Sequence, residues 1–133
     1  MKIVNLTPHQ ITLVVTGNGV DYGKEQEVFV PSSGLARVQT VDVRDGHGYA
    51  AMDEPADWPD GGNFNITERS FGDIIGLPEP EPLTMYVVSM PVAQRAAELG
   101  RADVYAPDTG ASAIRSENGQ IKAVRGLVRY RSK

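Results

Sequence analysis

Apolar and polar residues alternate along several short stretches of the chain, which is the pattern of β-strands with one face buried. The alternation is clearest at residues 11–16. Further strands are predicted at residues 2–6, 27–30, 64–69 and 102–106. Residues 83–88 are apolar on both faces, which predicts a central strand covered on both sides.

The pattern changes to a helical period only once, at residues 91–99. Pro91 is tolerated in a first helical turn, Ser89 can cap the helix start, and Gly100 can end it. The predicted apolar stripe consists of Val92, Ala96 and Leu99. We therefore expect one principal helix.

A β-hairpin is predicted at residues 113–124, because Asn118-Gly119 separates two strand-like runs. A two-residue loop would place Arg115 on a polar face with Glu117 and Lys122. These elements predict a mainly β (α+β) fold: a compact antiparallel, barrel-like sheet with one helix. A single domain over residues 1–133 fits the length, with an irregular Gly-, Asp- and Pro-rich loop at 45–63.

Composition excludes several classes of protein. The net charge of −4 argues against nonspecific nucleic-acid binding, which depends on neutralising phosphates. The absence of cysteine excludes disulfides, thiolate metal sites and cysteine nucleophiles. The first residues lack a signal-peptide pattern, and the longest apolar run is too short to cross a bilayer. We expect a cytoplasmic protein without a membrane segment or cofactor.

An anion site is predicted where the strand at 83–88 runs into the helix. Helix starts present free N–H groups and a positive dipole end, so Ser89 is a candidate ligand-binding residue. Arg101 and Arg115 could add guanidinium groups. If Arg115 holds a buried phosphate, its truncation should weaken binding by more than about thirty-fold. The alternative is that Arg101 pairs with Asp103 or Asp108, and Arg115 with a neighbour.

His9 ends the polar segment Asn5-Leu6-Thr7-Pro8-His9. It could orient a ligand or act as a base, whereas the commoner role of such a histidine is a turn residue bonded to backbone. The other histidine, His47, lies in the irregular loop, and we predict no metal site and no catalytic residue.

Asp108-Thr109-Gly110-Ala111 matches the active-site signature of aspartic proteases, which use two such aspartates. No second Asp-Thr-Gly occurs in the chain, which argues against that reading. A turn in which Asp108 caps its own backbone and Gly110 takes a positive φ fits better. Because this segment is so constrained, Asp108 and Thr109 remain candidate ligand-binding residues.

Three segments carry a resemblance to a family: the opening Lys-Ile-Val-Asn-Leu-Thr-Pro-His, the central Val-Pro-Ser-Ser-Gly-Leu-Ala-Arg-Val and the later Arg-Ala-Asp-Val-Tyr-Ala-Pro-Asp-Thr-Gly. The chain resembles small proteins of bacteriophages and prophage-carrying bacteria, over most of its length except residues 45–63. The resemblance supplies no catalytic residues. It implies an accessory phage gene product rather than a housekeeping enzyme.

One functional expectation follows from the resemblance to phage proteins and from the predicted anion site at the helix start. The protein would sequester a small anionic, nucleotide-derived signalling ligand and so counter host defence. Aromatic residues in or beside predicted loops, such as Trp58 and Phe64, could stack a nucleobase. The alternatives are a small hydrolase using His9 with Asp103 or Asp108, and a virion or protein-binding domain. We also expect a homo-oligomer, because one helix covers little of the sheet surface and edges.

Overall fold

The computed structural model describes residues 1–17, 23–49 and 56–131, and for 43–49 only the backbone is considered. The strands and the helix follow one another in this order: β1 Lys2–Asn5, β2 Ile11–Thr16, β3 Glu25–Val30, β4 Arg37–Tyr49, β5 Asn63–Ile75, β6 Thr84–Val87, α1 Met90–Glu98, β7 Val104–Pro107, β8 Ile114–Arg115, β9 Ile121–Ala123 and β10 Leu127–Val128. The predicted mainly β class with one helix is confirmed.

A four-stranded sheet in the order β1-β6-β7-β10 forms the centre of the fold. Strands β1, β6 and β7 run parallel, and β10 pairs antiparallel with β7. The parallel pair β6–β7 is possible because α1 carries the chain back along the sheet between them. The described strands form one four-stranded and three two-stranded sheets and do not close a barrel, so the barrel-like part of the expectation is wrong.

Strand β6 lies between β1 and β7 and is buried on both faces, as its apolar sequence predicted. Tyr86 is 2% exposed, and Val88, directly after the strand, is 0% exposed. Helix α1 covers the sheet with four buried residues: Val92, Ala93, Ala96 and Ala97. Val92 and Ala96 of the predicted stripe are buried, but Leu99 is largely exposed, so that part of the stripe was wrong. No helix in the described part of the chain is long and apolar enough to span a membrane.

Strands β8 and β9 form the predicted hairpin, but with a different turn. The amide of Gly119 donates to Ser116 O (2.9 Å), the amide of Ser116 donates to Gln120 O (2.8 Å), and Gly119 has φ +86°. This is a three-residue loop with a glycine bulge rather than a two-residue loop. The bulge puts Arg115 opposite Ile121 instead of Lys122, so the expected polar face does not form.

The described residues divide into two compact units, residues 1–38 with 74–133 and residues 39–73. The smaller unit is built on the two-stranded sheet β4–β5. Backbone at 45–49, expected to be irregular, belongs to β4. The side chain of His47 lies outside the described residues.

Candidate functional site

Loops that follow parallel strands meet at one edge of a sheet, and ligands of α/β sheets bind there. In this protein the carboxyl edge receives the segments after β1, β6 and β7. Of the six predicted site residues, these segments carry His9, Ser89, Asp108 and Thr109. Arg101 precedes β7 and therefore lies at the opposite, amino edge.

Asn5 organises the turn after β1, although it is 0% exposed. Its Nδ2 donates to His9 O (2.8 Å) and to Val30 O (2.9 Å). Its Oδ1 accepts bonds from the amide (2.9 Å) and the hydroxyl (2.6 Å) of Thr7. The amide group thus uses both hydrogens and both lone pairs, which is what a buried asparagine requires.

His9 serves this turn through its backbone rather than its ring. The carbonyl oxygen of His9 accepts bonds from Asn5 Nδ2 and from Thr7 Oγ1 (2.9 Å), and the residue is exposed. His9 therefore lies in a turn, as in the commoner of its two expected roles, but its carbonyl oxygen and not its ring makes these bonds. Sequence reasoning placed the function of this segment on the histidine and missed Asn5, whose signal was a polar residue at the end of an otherwise apolar strand.

An open groove of about 360 Å³ lies at the carboxyl edge, and we call it the carboxyl-edge groove. Its walls are mostly apolar, with a small number of polar side chains among them. The apolar side chains come from Leu6, Pro8, Leu35, Val38, Pro91 and Val92; the polar ones are Thr7, Arg37 and Ser89. Apolar walls with a few convergent polar groups are typical of small-molecule sites.

The start of α1 gives this groove a positive character. Ser89 is the N-cap residue, but its side chain makes no capping hydrogen bond, contrary to the predicted capping role. Pro91 has no N–H, so Met90 and Val92 supply the uncapped amides of the first turn. The first turn contains no acidic residue to oppose an anion.

Arg37 adds a full positive charge to the same groove. Its side chain is exposed and makes no ion pair with any residue in the described ranges. The groove lining contains no carboxylate. Sequence reasoning missed Arg37, because nothing in the local pattern around residues 36–38 connects it to a helix more than fifty residues later.

The wall that carries Leu35 and Arg37 is fixed by backbone contacts. The amide of Ala36 donates to Leu6 O (2.9 Å), next to the β1 turn. Gly76, at φ +88°, approaches so closely that an added Cβ would lie 2.3 Å from Leu35 O. Only glycine fits both this backbone conformation and this distance.

Arg101 forms an ion pair at the amino edge. Its Nε and Nη2 donate to the two carboxylate oxygens of Asp103 (2.9 and 3.0 Å), and Nη2 also donates to Pro78 O (2.9 Å). The guanidinium lies 5.9 Å from the ring centre of Tyr86. The bond from Arg101 holds the pKa of Asp103 below its usual range, and the same bond raises the pKa of Arg101. The alternative that Arg101 pairs with Asp103 is confirmed.

A second cleft, of about 260 Å³, lies at this amino edge between the end of α1 and the segment after β10. Three of its lining side chains are arginines: Arg101, Arg129 and Arg131. Arg129 donates to Ala102 O (3.3 Å). Asp103 already offsets the charge of Arg101, and the carboxyl end of a helix carries a partial negative charge.

The Asp108 segment forms the predicted turn. Oδ1 of Asp108 accepts a bond from the amide of Gly110 (3.0 Å), and Oδ2 accepts one from Ser112 Oγ (3.4 Å). Gly110 is not among the glycines with positive φ, so that detail was wrong. Thr109 lines a smaller pocket of about 180 Å³ with Thr12 and Lys122.

Arg115 links the β8–β9 hairpin to the loop that contains Thr109. Its Nη1 donates to Gly119 O (2.9 Å) and its Nη2 to Thr109 O (3.2 Å). Arg115 is exposed, and its role in holding a phosphate stays a prediction. Its nearest partners are backbone carbonyls of its own hairpin and of the loop before it.

The hydrolase alternative requires His9 close to Asp103 or Asp108. His9 follows β1 and Asp103 precedes β7, so the parallel strands place these two residues at opposite edges. Asp108 shares an edge with His9, but its carboxylate is bonded within its own turn. Within the described ranges, no group of three or more His, Asp or Glu side chains is placed to hold a metal ion.

Comparison with other proteins adds no assignment. The chain matches no protein-family model, and it shows no significant similarity to the curated proteins or to the solved structures.

Proposed function

We propose that this protein binds a small anionic, nucleotide-derived ligand in the carboxyl-edge groove and holds it without changing it chemically. The observation that carries the proposal is the composition of the groove: the start of α1, the Ser89 hydroxyl, which makes no capping bond, and the guanidinium of Arg37, which has no ion pair among the described residues, lie among apolar walls. The phosphate would contact the polar groups, and the base or sugar would contact the apolar ones.

The biological role in this proposal follows from the resemblance to phage proteins. A phage accessory protein that sequesters a nucleotide messenger in the cytoplasm of its host would blunt a defence response. Binding alone serves this purpose, so the groove needs donors and complementary shape rather than a nucleophile. Asp108 and Asp103 are both bonded within the protein, which supports storage of the ligand rather than its hydrolysis.

Calorimetry against a panel of linear and cyclic nucleotides tests the binding. Arg37→Gln should weaken binding of the tightest nucleotide by about tenfold or more, because a charge-assisted hydrogen bond contributes roughly 1.5–3 kcal/mol. Arg129→Gln is the matched control: it removes an arginine of the amino-edge cleft, and we expect less than a threefold change. A loss only in the control would move the site to the amino edge, and equal losses in the two variants would contradict a site in the carboxyl-edge groove.

The fate of the ligand separates sequestration from hydrolysis. After prolonged incubation and denaturation of the protein, mass spectrometry should recover the nucleotide intact and in stoichiometric amount. Steady accumulation of a hydrolysis product would establish the enzyme alternative. Absence of binding across the whole panel would contradict the proposed function.

A further inference from the structure

The loop between β5 and β6 carries alternating prolines and glutamates at the molecular surface, in the sequence Pro78-Glu79-Pro80-Glu81-Pro82-Leu83. We call residues 78–83 the proline segment. All six residues are exposed, and none of them belongs to a helix or a strand. Packing of the core therefore does not explain why three prolines and a leucine lie so close together here.

The sequence confines this segment to an extended backbone of the polyproline II type. The ring of a proline fixes φ at about −65°, and a residue that precedes proline is pushed out of the helical region. Every residue from 77 to 82 is either a proline or the residue before one. A segment already confined in this way loses little conformational entropy when a partner binds it.

The start of the proline segment is bonded to the domain through its backbone. Nη2 of Arg101 donates to Pro78 O (2.9 Å), and the hydroxyl of Tyr86 donates to Glu79 O (3.1 Å). Arg101 is in turn oriented by its two bonds to Asp103. These contacts fix the segment at the amino edge, while the side chains of Pro78 and Glu79 stay exposed.

The middle of the proline segment keeps free backbone acceptors. Near its end, Thr84 Oγ1 donates to Pro82 O (3.1 Å). The carbonyl groups of Pro80 and Glu81 make no hydrogen bond with any residue in the described ranges. Indole N–H and phenolic O–H groups of a partner's aromatic residues can donate to such carbonyls. The segment is thus held at both ends and available for binding between them.

Leu83, the last residue of the segment, has a strained backbone. Its φ of +53° makes it the one residue other than glycine with a positive φ in the described part of the chain. Its side chain is 79% exposed, so burial does not offset the strain. A bulky residue is rare in this conformation, which glycine adopts freely. An exposed leucine held in a strained conformation points to a contact outside the chain.

We propose that the proline segment is a docking ligand for a protein that has an aromatic-lined groove with a basic rim. This inference goes beyond the proposed function and does not depend on it. Grooves of this kind recognise preformed polyproline II segments, because their aromatic rings pack against proline rings. The Leu83 side chain would extend the apolar contact at the end of the segment.

The charges of the segment select the rim of the partner groove. Glu79 and Glu81 make no ion pair with any residue that the structure describes, and the segment contains no lysine or arginine. Opposite charges across an interface accelerate encounter, and like charges exclude the wrong partner. A groove whose aromatic rings are flanked by lysine or arginine therefore fits this segment, and one with an acidic rim does not.

Titration of the full chain against a panel of purified SH3 and WW domains tests the recognition, because both classes bind polyproline segments through aromatic-lined grooves. The panel includes domains with basic rims and domains with acidic rims, and NMR shifts of the groove residues report binding. We expect basic-rimmed domains to bind, and acidic-rimmed domains to bind about tenfold more weakly or not at all. Absence of binding across the basic-rimmed domains would overturn the proposal.

A proline substitution tests whether the segment itself is recognised. Pro80→Ala should weaken binding to the tightest domain of the panel by about tenfold or more, because it removes a ring contact and frees the backbone of Glu79. Pro59→Ala is the matched control, since Pro59 is also exposed but lies outside the segment. We expect less than a threefold change in the control, and equal losses in the two variants would contradict docking through the segment.

Leu83→Gly separates docking from a purely structural role. The variant should bind the same domain several-fold more weakly without lowering the urea midpoint of unfolding, because glycine adopts φ +53° without strain. The backbone bond from Lys2 N to Leu83 O (2.8 Å) is retained in this variant. A lowered midpoint with unchanged affinity would show that Leu83 serves the fold and would remove it from the docking surface.

Discussion

The two edges of the central sheet hold arginines in very different states. At the amino edge, Arg101 is bonded to Asp103 and to a backbone carbonyl, and two further arginines line the same cleft. At the carboxyl edge, Arg37 stands without an ion pair among the described residues, beside the uncapped start of α1. The edge with more arginines is thus the less suitable anion site.

Two physical reasons explain this difference. A guanidinium already bonded to a carboxylate gains little from a second anion, because its charge is largely offset. The dipole of α1 adds positive potential at Ser89 and negative potential at the other end of the helix. The number of cationic residues at an edge is therefore a poor guide to anion binding. Whether those residues are already bonded to carboxylates is the better guide.

Among the substitutions considered, replacement of Asn5 should lower the free energy of unfolding the most. Asn5→Ala removes two bonds to the carbonyls of His9 and Val30 and two bonds from Thr7, all of them partly buried. At roughly 1–3 kcal/mol for a buried group left unsatisfied, we expect the free energy of unfolding to fall by about 3 kcal/mol or more. Urea denaturation measures the loss.

Asn118→Ala is the control for this substitution. Asn118 also accepts two hydrogen bonds through its side chain, from Ser116 Oγ and from the amide of Gln120, but it is exposed. We expect a loss below about 1 kcal/mol, because water replaces the lost bonds. A loss as large as that of Asn5→Ala would contradict the distinction between the buried turn and the exposed one.

Asp103→Asn, at the amino edge, should lower the free energy of unfolding by an intermediate amount. Because the folded-state pKa of Asp103 is lowered, its ion pair stabilises the fold above the unfolded pKa of about 3.9 and this stabilisation is lost as pH falls through the lower folded pKa. The variant should lose roughly 1 kcal/mol at neutral pH, since the pair is partly exposed. The difference from wild type should shrink as the pH falls below the unfolded pKa.

The affinity of Asp103→Asn for the ligand also tests which edge of the sheet binds it. If the ligand binds at the carboxyl edge, its affinity at neutral pH should stay within about threefold of wild type, because the binding groups there are unchanged. A gain in affinity would instead show that releasing Arg101 from Asp103 creates an anion site at the amino edge.

Arg115→Ala should change stability and nucleotide affinity the least. This change removes two exposed bonds to the carbonyls of Gly119 and Thr109. We expect about 0.5–1 kcal/mol of destabilisation and less than a threefold change in nucleotide affinity. A loss of thirty-fold or more in affinity with an unchanged unfolding transition would restore Arg115 to the binding site.

Local patterns in the sequence determined the elements whose energetics are local. The α1 region was predicted within one residue at each end, because proline at its start, small apolar residues inside and glycine after it all act within a few positions. The doubly buried strand β6 was predicted from apolar residues on both faces. The turn at Asp108 was found because its hydrogen bonds join residues two and four positions apart.

Only the tertiary structure decided how these elements meet. The order β1-β6-β7-β10 brings Thr7 and Ser89 to one groove, and the bond from the amide of Ala36 to Leu6 O brings Arg37 there, although the three residues are far apart in the chain. The same order sends Arg101 to the opposite edge, where Asp103 neutralises it. Hydrophobic periodicity indicates which face of an element is buried, but it does not indicate which distant element covers that face. The position of the site was for that reason beyond the reach of the sequence pattern.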